Sequence, residues 1–440
     1  MKRFLFPMLM ILLLTITTAA QDDDTDTLPN LTLMSVQNIR ELIDIPYRAT
    51  LSPDGTLLAY EENSISGLCI YSFTDEPTTC TPYPEDGENG ERIRLYRPAE
   101  LKWSPDNHLI ALTESSLNDT DIWLYDVQAG TFTNRTQDGY SGRFIDQEAR
   151  GIPVDLLPTW SPDGSLYFFR YIQQAETTIT QLFMIPAVDG GFDSILGESP
   201  RKLSDEDPLL VADFTDSVPN RFSFINNGEH LPGQAEVSPD GTKIALIMQP
   251  QNPDGYEVWV VNLLDGMILH RYPTVDISAV GLPEWSENSN FVPRGITWTG
   301  GTTMIVNFRN STRRGIIWTA YHIDIETDGI TPIFDFANVP QGEYISGTQT
   351  DSGLVTYPIP LIYEVLTPDR NYFLYVTAYR SRDSAVLEAL PVNGGERLIL
   401  YNFDADFHPL YGVIYSSIGT DGHTLRALIS GYVFTFEITE

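Results

Sequence analysis

Along the chain, short apolar runs of four to six residues, read as strands, alternate with turn-forming clusters. One five-residue phrase punctuates these runs: Leu51-Ser52-Pro53-Asp54-Gly55, Trp103-Ser104-Pro105-Asp106-Asn107, Trp160-Ser161-Pro162-Asp163-Gly164, Val237-Ser238-Pro239-Asp240-Gly241 and Leu366-Thr367-Pro368-Asp369-Arg370. Weaker copies stand at Trp298-Thr299-Gly300-Gly301-Thr302 and Ile418-Gly419-Thr420-Asp421-Gly422. Proline presets the φ of the first central position of a type I turn, Asp bonds the local backbone, and Gly eases the exit. An apolar strand is predicted after each turn, at 57–60, 109–112, 166–169, 243–248, 304–308, 373–377 and 425–429.

A second strand follows in most units, as in Asp121-Ile-Trp-Leu-Tyr-Asp126, Gln181–Ile185, Glu257-Val-Trp-Val-Val-Asn262, Ile316–Tyr321 and Tyr432–Phe436. Another tight-turn signal comes next, at Ala129-Gly130, Asp189-Gly190-Gly191, Asp265-Gly266, Asp328-Gly329 and Asn393-Gly394-Gly395. A last strand such as 330–336 or 396–401 then completes a unit of four antiparallel strands joined by hairpins. The phrases recur at intervals of 52 to 77 residues. Such sheets cannot bury both faces alone, and the closed solution is an all-β propeller, for which seven phrases suggest seven blades, with six or eight as the alternatives. The longest interval contains an irregular stretch, 195–232, read as a loop or lobe rather than an eighth blade. The last unit lacks a fourth strand, and the spare segment Leu31–Val36 is expected to supply it and close the ring.

These turns, each followed by an apolar and then a Trp-centred strand, resemble the WD40-like repeat of the TolB-type and dipeptidyl-peptidase-IV-type propellers. The resemblance implies a periplasmic scaffold, a binding module or a gating cover for a peptidase. The chain departs from it in two ways. Only about thirty residues separate Gln21 from the first turn, against an α/β domain in TolB, and no Gly-x-Ser-x-Gly elbow marks a hydrolase domain.

At the N-terminus, Lys2 and Arg3 precede an apolar run from Phe4 to Ile16, and Thr18-Ala19-Ala20 provides small residues for cleavage. The run is shorter than the roughly 20 residues that span a bilayer. The expected organisation is a signal peptide over 1–20, an acidic leader with the ring-closing strand over 21–47, and the propeller over 48–440. No cysteine precedes Cys69, so lipoprotein processing is excluded, and a secreted or periplasmic location is expected. The formal net charge of −34 argues against nucleic-acid binding. Positions symmetric about Thr74-Asp75 pair Cys69 with Cys80, and an exported protein would form that disulfide.

The aspartates of the phrase read as turn formers. Trp103, Trp123, Trp160, Trp259, Trp298 and Trp318 read as packing between blades, and Trp285, outside both patterns, is the aromatic candidate for a ligand. His108, His230, His270, His322, His408 and His423 show no metal-ligand spacing. The acidic runs 85–91 and 404–406 lack an EF-hand's alternation, so no cofactor is expected beyond incidental calcium on so acidic a surface. Sequons stand at Asn30, Asn118, Asn134 and Asn310. The expected function is a monomeric, non-catalytic module holding a protein, peptide or glycan on its loops. The alternatives are a glycoside hydrolase or lyase with channel carboxylates and an accessory or lid subunit of a separate peptidase.

Overall fold

The computed structural model describes residues 26–43, 48–62, 66–74, 77–86, 91–92, 101–113, 121–137, 153–173, 178–188, 202–215, 234–248, 256–278, 290–312, 315–333, 345–346, 356–358, 365–379, 384–392, 395–403, 417–429 and 431–439. They form an all-β propeller of seven four-stranded antiparallel blades. Residues 1–25, which include the stretch expected to be a signal peptide, lie outside the described residues. The described helices are the short Ile39–Leu42 and Thr274–Ser278, and none is long and apolar enough to cross a membrane.

Blade 1 runs from innermost to outermost strand as Ala49–Leu51, Leu57–Glu62, Gly67–Ser72 and Thr79–Pro82, and blade 2 as Lys102–Trp103, Leu109–Thr113, Ile122–Asp126 and Thr131–Asn134. Blade 4 repeats the order with Ala235–Val237, Lys243–Met248, Glu257–Asn262 and Ile268–Pro273. Blade 5 does so with Asn290–Trp298, Thr303–Thr312, Gly315–Asp324 and Gly329–Pro332. In blade 6 the innermost position is shared by two pieces, Thr356–Pro358 and Val365–Leu366, followed by Tyr372–Tyr379, Ser384–Pro391 and Leu398–Phe403. Every five-residue phrase joins a first strand to a second.

Blade 3 corrects one expectation. Its strands are Val154–Trp160, Leu166–Gln173, Thr178–Ile185 and Leu209–Asp213, so the stretch 195–232 contains an outermost strand. A small hairpin, Ala187–Val188 paired with Lys202–Leu203, is inserted before it. The Asp189 signal therefore does not lead directly into the fourth strand. That strand was illegible because it presents leucines outward, so no apolar-in, polar-out alternation marks it.

Blade 7 closes the ring. Ser417–Thr420, Thr424–Ile429 and Tyr432–Ile438 are completed by Leu31–Asn38, which pairs antiparallel with Tyr432–Ile438 from Leu31↔Ile438 to Asn38↔Tyr432. The clasp reaches further than the expected strand. Asp26 exchanges two bonds with Ile399 on the outer strand of blade 6, its N–H donating to the carbonyl at 2.7 Å and its Oδ2 accepting from the Ile399 N–H at 2.9 Å. Leu28 is buried with that blade's Leu398 and Leu400, and Ile39 and Ile43 are buried with Leu51 and Leu58 of blade 1. Residues 26–43 thus touch three consecutive blades.

The core lies between blades. Phe214, beyond the outer strand of blade 3, meets Trp259 of blade 4 edge-on at 5.8 Å, and the Arg271 guanidinium covers the same indole at 4.4 Å. Trp103 Nε1 donates to Thr50 O at 3.4 Å, Trp160 Nε1 to Lys102 O at 2.8 Å, and Trp298 Nε1 to Glu236 O at 2.8 Å. In each case an indole from one innermost strand is bonded to the innermost strand of the preceding blade. Trp123 is also buried, while the side chain of Trp318 lies outside the described residues.

Candidate functional site

Antiparallel connectivity gives the ring two unlike rims. First-to-second and third-to-fourth connections leave one rim, while second-to-third connections and those between blades leave the other. On the first rim the recurring phrase makes a closed unit. The buried Ser52 hydroxyl donates to Asp54 Oδ1 at 2.5 Å and accepts from Leu57 N at 3.0 Å, while Gly55 N closes the turn on Ser52 O at 2.8 Å. Ser238 with Asp240 and Thr367 with Asp369 repeat the hydroxyl-to-carboxylate bond at 2.5 Å, and Ser104 with Asp106 at 2.6 Å. Ser161 and Asp163 keep the turn, with Gly164 N on Ser161 O at 2.9 Å and Ser165 N on Asp163 Oδ1 at 2.9 Å. Pro53, Pro105, Pro162, Pro239 and Pro368 are exposed.

The fifth residue of every strong copy has positive φ: Gly55 (71°), Asn107 (63°), Gly164 (87°), Gly241 (70°) and Arg370 (58°). The two non-glycine side chains are used between blades. Asn107 Oδ1 accepts from Asp54 N at 3.3 Å, and Arg370 Nη1 donates to Trp298 O at 2.8 Å. Lys243 Nζ donates to Gly301 O at 3.1 Å and Arg426 Nη1 to Gly55 O at 2.9 Å. Partial burial pushes the Asp240 carboxyl up, but bonds from Ser238 and Thr242 and the nearby Lys243 ammonium outweigh it and hold its pKa at about 2. These aspartates are committed to the turns.

The other rim carries the long connections, and the described strand ends there hold the charged groups of interest. In blade 1 the buried Arg48 guanidinium lies 3.3 Å from Glu61 Oε2. Burial raises the Glu61 pKa, and Arg48 opposes that rise. The phenol of buried Tyr83 has no hydrogen-bond partner among the described residues, and burial followed by the Glu61 charge pushes its pKa well up. In blade 3 the buried Asp155 accepts a bidentate pair from Arg170, at 2.8 Å from Nε and 2.7 Å from Nη2.

Buried Asp121 accepts from Asn134 Nδ2 at 2.6 Å and from Thr136 Oγ1 at 3.2 Å, which makes the 134–136 sequon part of the blade 2 framework. Glu388 of blade 6 faces Arg397 at 3.4 Å. Each of these carboxylates is paired with a cation or hydrogen-bonded where it stands.

Cys69 and Cys80 are register partners on the third and fourth strands of blade 1 and form a disulfide. Trp285, His230, His408, Asn118 and the run 404–406 lie outside the described residues, as do positions 87–90 of the run 85–91. His270 is paired at 3.2 Å with Asp328 across the blade 4 to blade 5 boundary. His108 and His322 are half-buried, and His423 is exposed. Among the described residues, no three His, Cys, Asp or Glu side chains cluster as metal ligands. Sequence reasoning missed the Arg48–Glu61 and Asp155–Arg170 pairs, since each joins adjacent strands across a turn phrase and no local motif marks them.

No family model and no curated protein matches the sequence. Among solved structures, the chain is similar to TolB from Acinetobacter baumannii at 12% identity, over 80% of this chain and 62% of that one, with a TM-score of 0.36. It is similar to the Dos1 propeller at 11% identity, over 93% and 95%, with a TM-score of 0.44. It is also similar to an oligogalacturonate lyase in complex with manganese at 11% identity, over 94% and 96%, with a TM-score of 0.48.

Proposed function

We propose that the protein is an exported binding or scaffold module that holds a protein, peptide or glycan partner on the rim of the long connections. The observation that supports this reading is the unlike build of the two rims. One carries the recurring tight turns, whose hydroxyls and carboxylates bond each other, together with the long blade 3 connection that holds the inserted hairpin, and the opposite one carries every connection between blades. Loops set on a rigid ring vary in length and chemistry without disturbing the blades, which suits them to recognition.

The test is affinity capture from native extract with the full mature chain. Two variants are compared with it: one with residues 279–289 replaced by a Gly-Ser linker, and Pro53→Ala on the turn rim. Specific partners lost by the first variant and kept by the second support the reading. Equal capture by all three refutes it, and release of unsaturated product from a polyuronate panel by the wild-type chain would make the protein a lyase instead.

A further inference from the structure

Most large apolar side chains of the described residues are buried, yet five exposed ones gather at the outer edge of the turn rim, at the boundary of blades 3 and 4. Leu209 and Leu210, 49% and 54% exposed, begin the outermost strand of blade 3. Leu264 and Met267, 93% and 61% exposed, belong to the connection between the third and fourth strands of blade 4, and Leu269, 41% exposed, follows on its outermost strand. The two groups adjoin. A Cβ on Gly266 would lie 2.5 Å from Val211 O and 2.8 Å from Ala212 Cβ, so the blade 4 turn rests on blade 3 next to its leucines. Leu269 is the unpaired residue of a bulge, between Val260↔His270 and Val261↔Ile268.

Two further features define what would sit there. The strand Leu209–Asp213 pairs with Thr178–Ile185 and with no other described strand. Contiguous exposed apolar surface beside such an edge marks an interaction site. The flanks are acidic: Asp205, Glu206 and Asp207 are exposed immediately before the leucines, Asp213 follows them, and Asp265 lies within the turn. Arg135 approaches Asp205 at 3.6 Å, and Arg271, two residues beyond Leu269 and exposed, lies over the Trp259 ring. A second copy would bring the same acids against these, on a chain of formal net charge −34, and an anionic membrane would be repelled likewise.

We propose that this patch is a docking surface for a basic amphipathic segment of a partner protein, with apolar side chains over Leu209, Leu210, Leu264, Met267 and Leu269 and Lys or Arg against the flanking carboxylates. It is separate from the rim proposed above and does not depend on it.

The probe is a helix-forming peptide of Leu and Lys with an amphipathic order, set against a scrambled peptide of identical composition. Binding to the full mature chain is followed by fluorescence anisotropy. Leu264→Ser/Met267→Ser keeps every charge and alters only exposed side chains, so an unchanged melting temperature certifies the fold. The ordered peptide should bind the wild type more tightly than the scrambled one, and the double variant should weaken it by roughly tenfold or more. The weak, salt-sensitive binding of the scrambled peptide should stay unchanged. Equal binding of the ordered peptide to both proteins overturns the proposal. So does sedimentation showing a wild-type dimer, or flotation with phosphatidylglycerol vesicles, that the variant abolishes.

Discussion

Replacing Gly419 by alanine tests the ring's seam directly, because both neighbours of the added methyl are backbone. A Cβ there would lie 2.1 Å from Ser52 O, 2.3 Å from Gly55 N and 2.6 Å from Gly55 Cα. Ordinary contact begins near 3.4 Å, so the first and last blades must separate by about 1.3 Å, the difference between 3.4 and 2.1. That shift stretches the Thr420 N to Pro53 O bond (2.8 Å) and the Leu51 N to Ser417 Oγ bond (2.9 Å). Forced overpacking costs about 1–3 kcal/mol, and two lost hydrogen bonds add about 1 kcal/mol each. The expected destabilisation is therefore about 3–5 kcal/mol, read as a lower urea midpoint at unchanged m-value.

Gly422→Ala is the control. Nothing lies within 4 Å of its Cβ position, and only its φ of +88° resists a side chain, for about 1–2 kcal/mol. If Gly419→Ala proved no more destabilising than Gly422→Ala, the close-packed seam would be wrong.

Other outcomes follow from the same contacts. Trp298→Ala should cost about 3–5 kcal/mol, since the ring is 2% exposed, whereas Trp298→Phe should lose mainly the bond to Glu236 O, about 1 kcal/mol; similar urea midpoints for the two variants would contradict this. Deleting 27–36 should lower the melting temperature sharply, because it strips blade 7 of its outer strand and removes buried Leu28; an unchanged melting temperature would sink the closure. Asp240→Asn should be less stable than the wild type at pH 7. Because the folded pKa of about 2 lies below that of an unfolded aspartate, about 3.9, that deficit is full above pH 4 and shrinks as pH falls through 2; a pH-independent deficit in urea melts would refute it. A thiol assay on unfolded, unreduced protein should find none from Cys69 or Cys80, and two free thiols would contradict the bridge.

Five blades were legible because the Ser/Thr-Pro-Asp turn is a local code, in which proline presets the backbone and the hydroxyl bonds the carboxylate within five residues; blades 5 and 7 were legible only from the weaker copies at Trp298–Thr302 and Ile418–Gly422. Cys69 opposite Cys80 was legible for the same reason, as a hairpin fixes its own register. The closing strand could be anticipated because its absence from the last unit was visible. What stayed hidden depends on residues brought together from distant positions or adjacent strands. Arg48 meets Glu61 and Asp155 meets Arg170 only once strands pair. Leu209–Asp213 reads as irregular because its leucines face solvent. The indole bonds from Trp103, Trp160 and Trp298 to the preceding blades could be expected as packing, but their carbonyl acceptors are set by the ring and not by any spacing.

The clasp also fixes how molecules can become entangled. The strand Leu31–Asn38 recognises Tyr432–Ile438 by a register that any second molecule displays identically. Within one ring the two meet at the high effective concentration of a short tether, of millimolar order, so separate closed rings dominate in dilute solution. When the seam is loosened, as by Gly419→Ala, or the protein is refolded in concentrated solution, one molecule's strand can complete the next molecule's blade. The products would be swapped dimers and open chains made of native contacts, which persist on dilution until a ring unfolds.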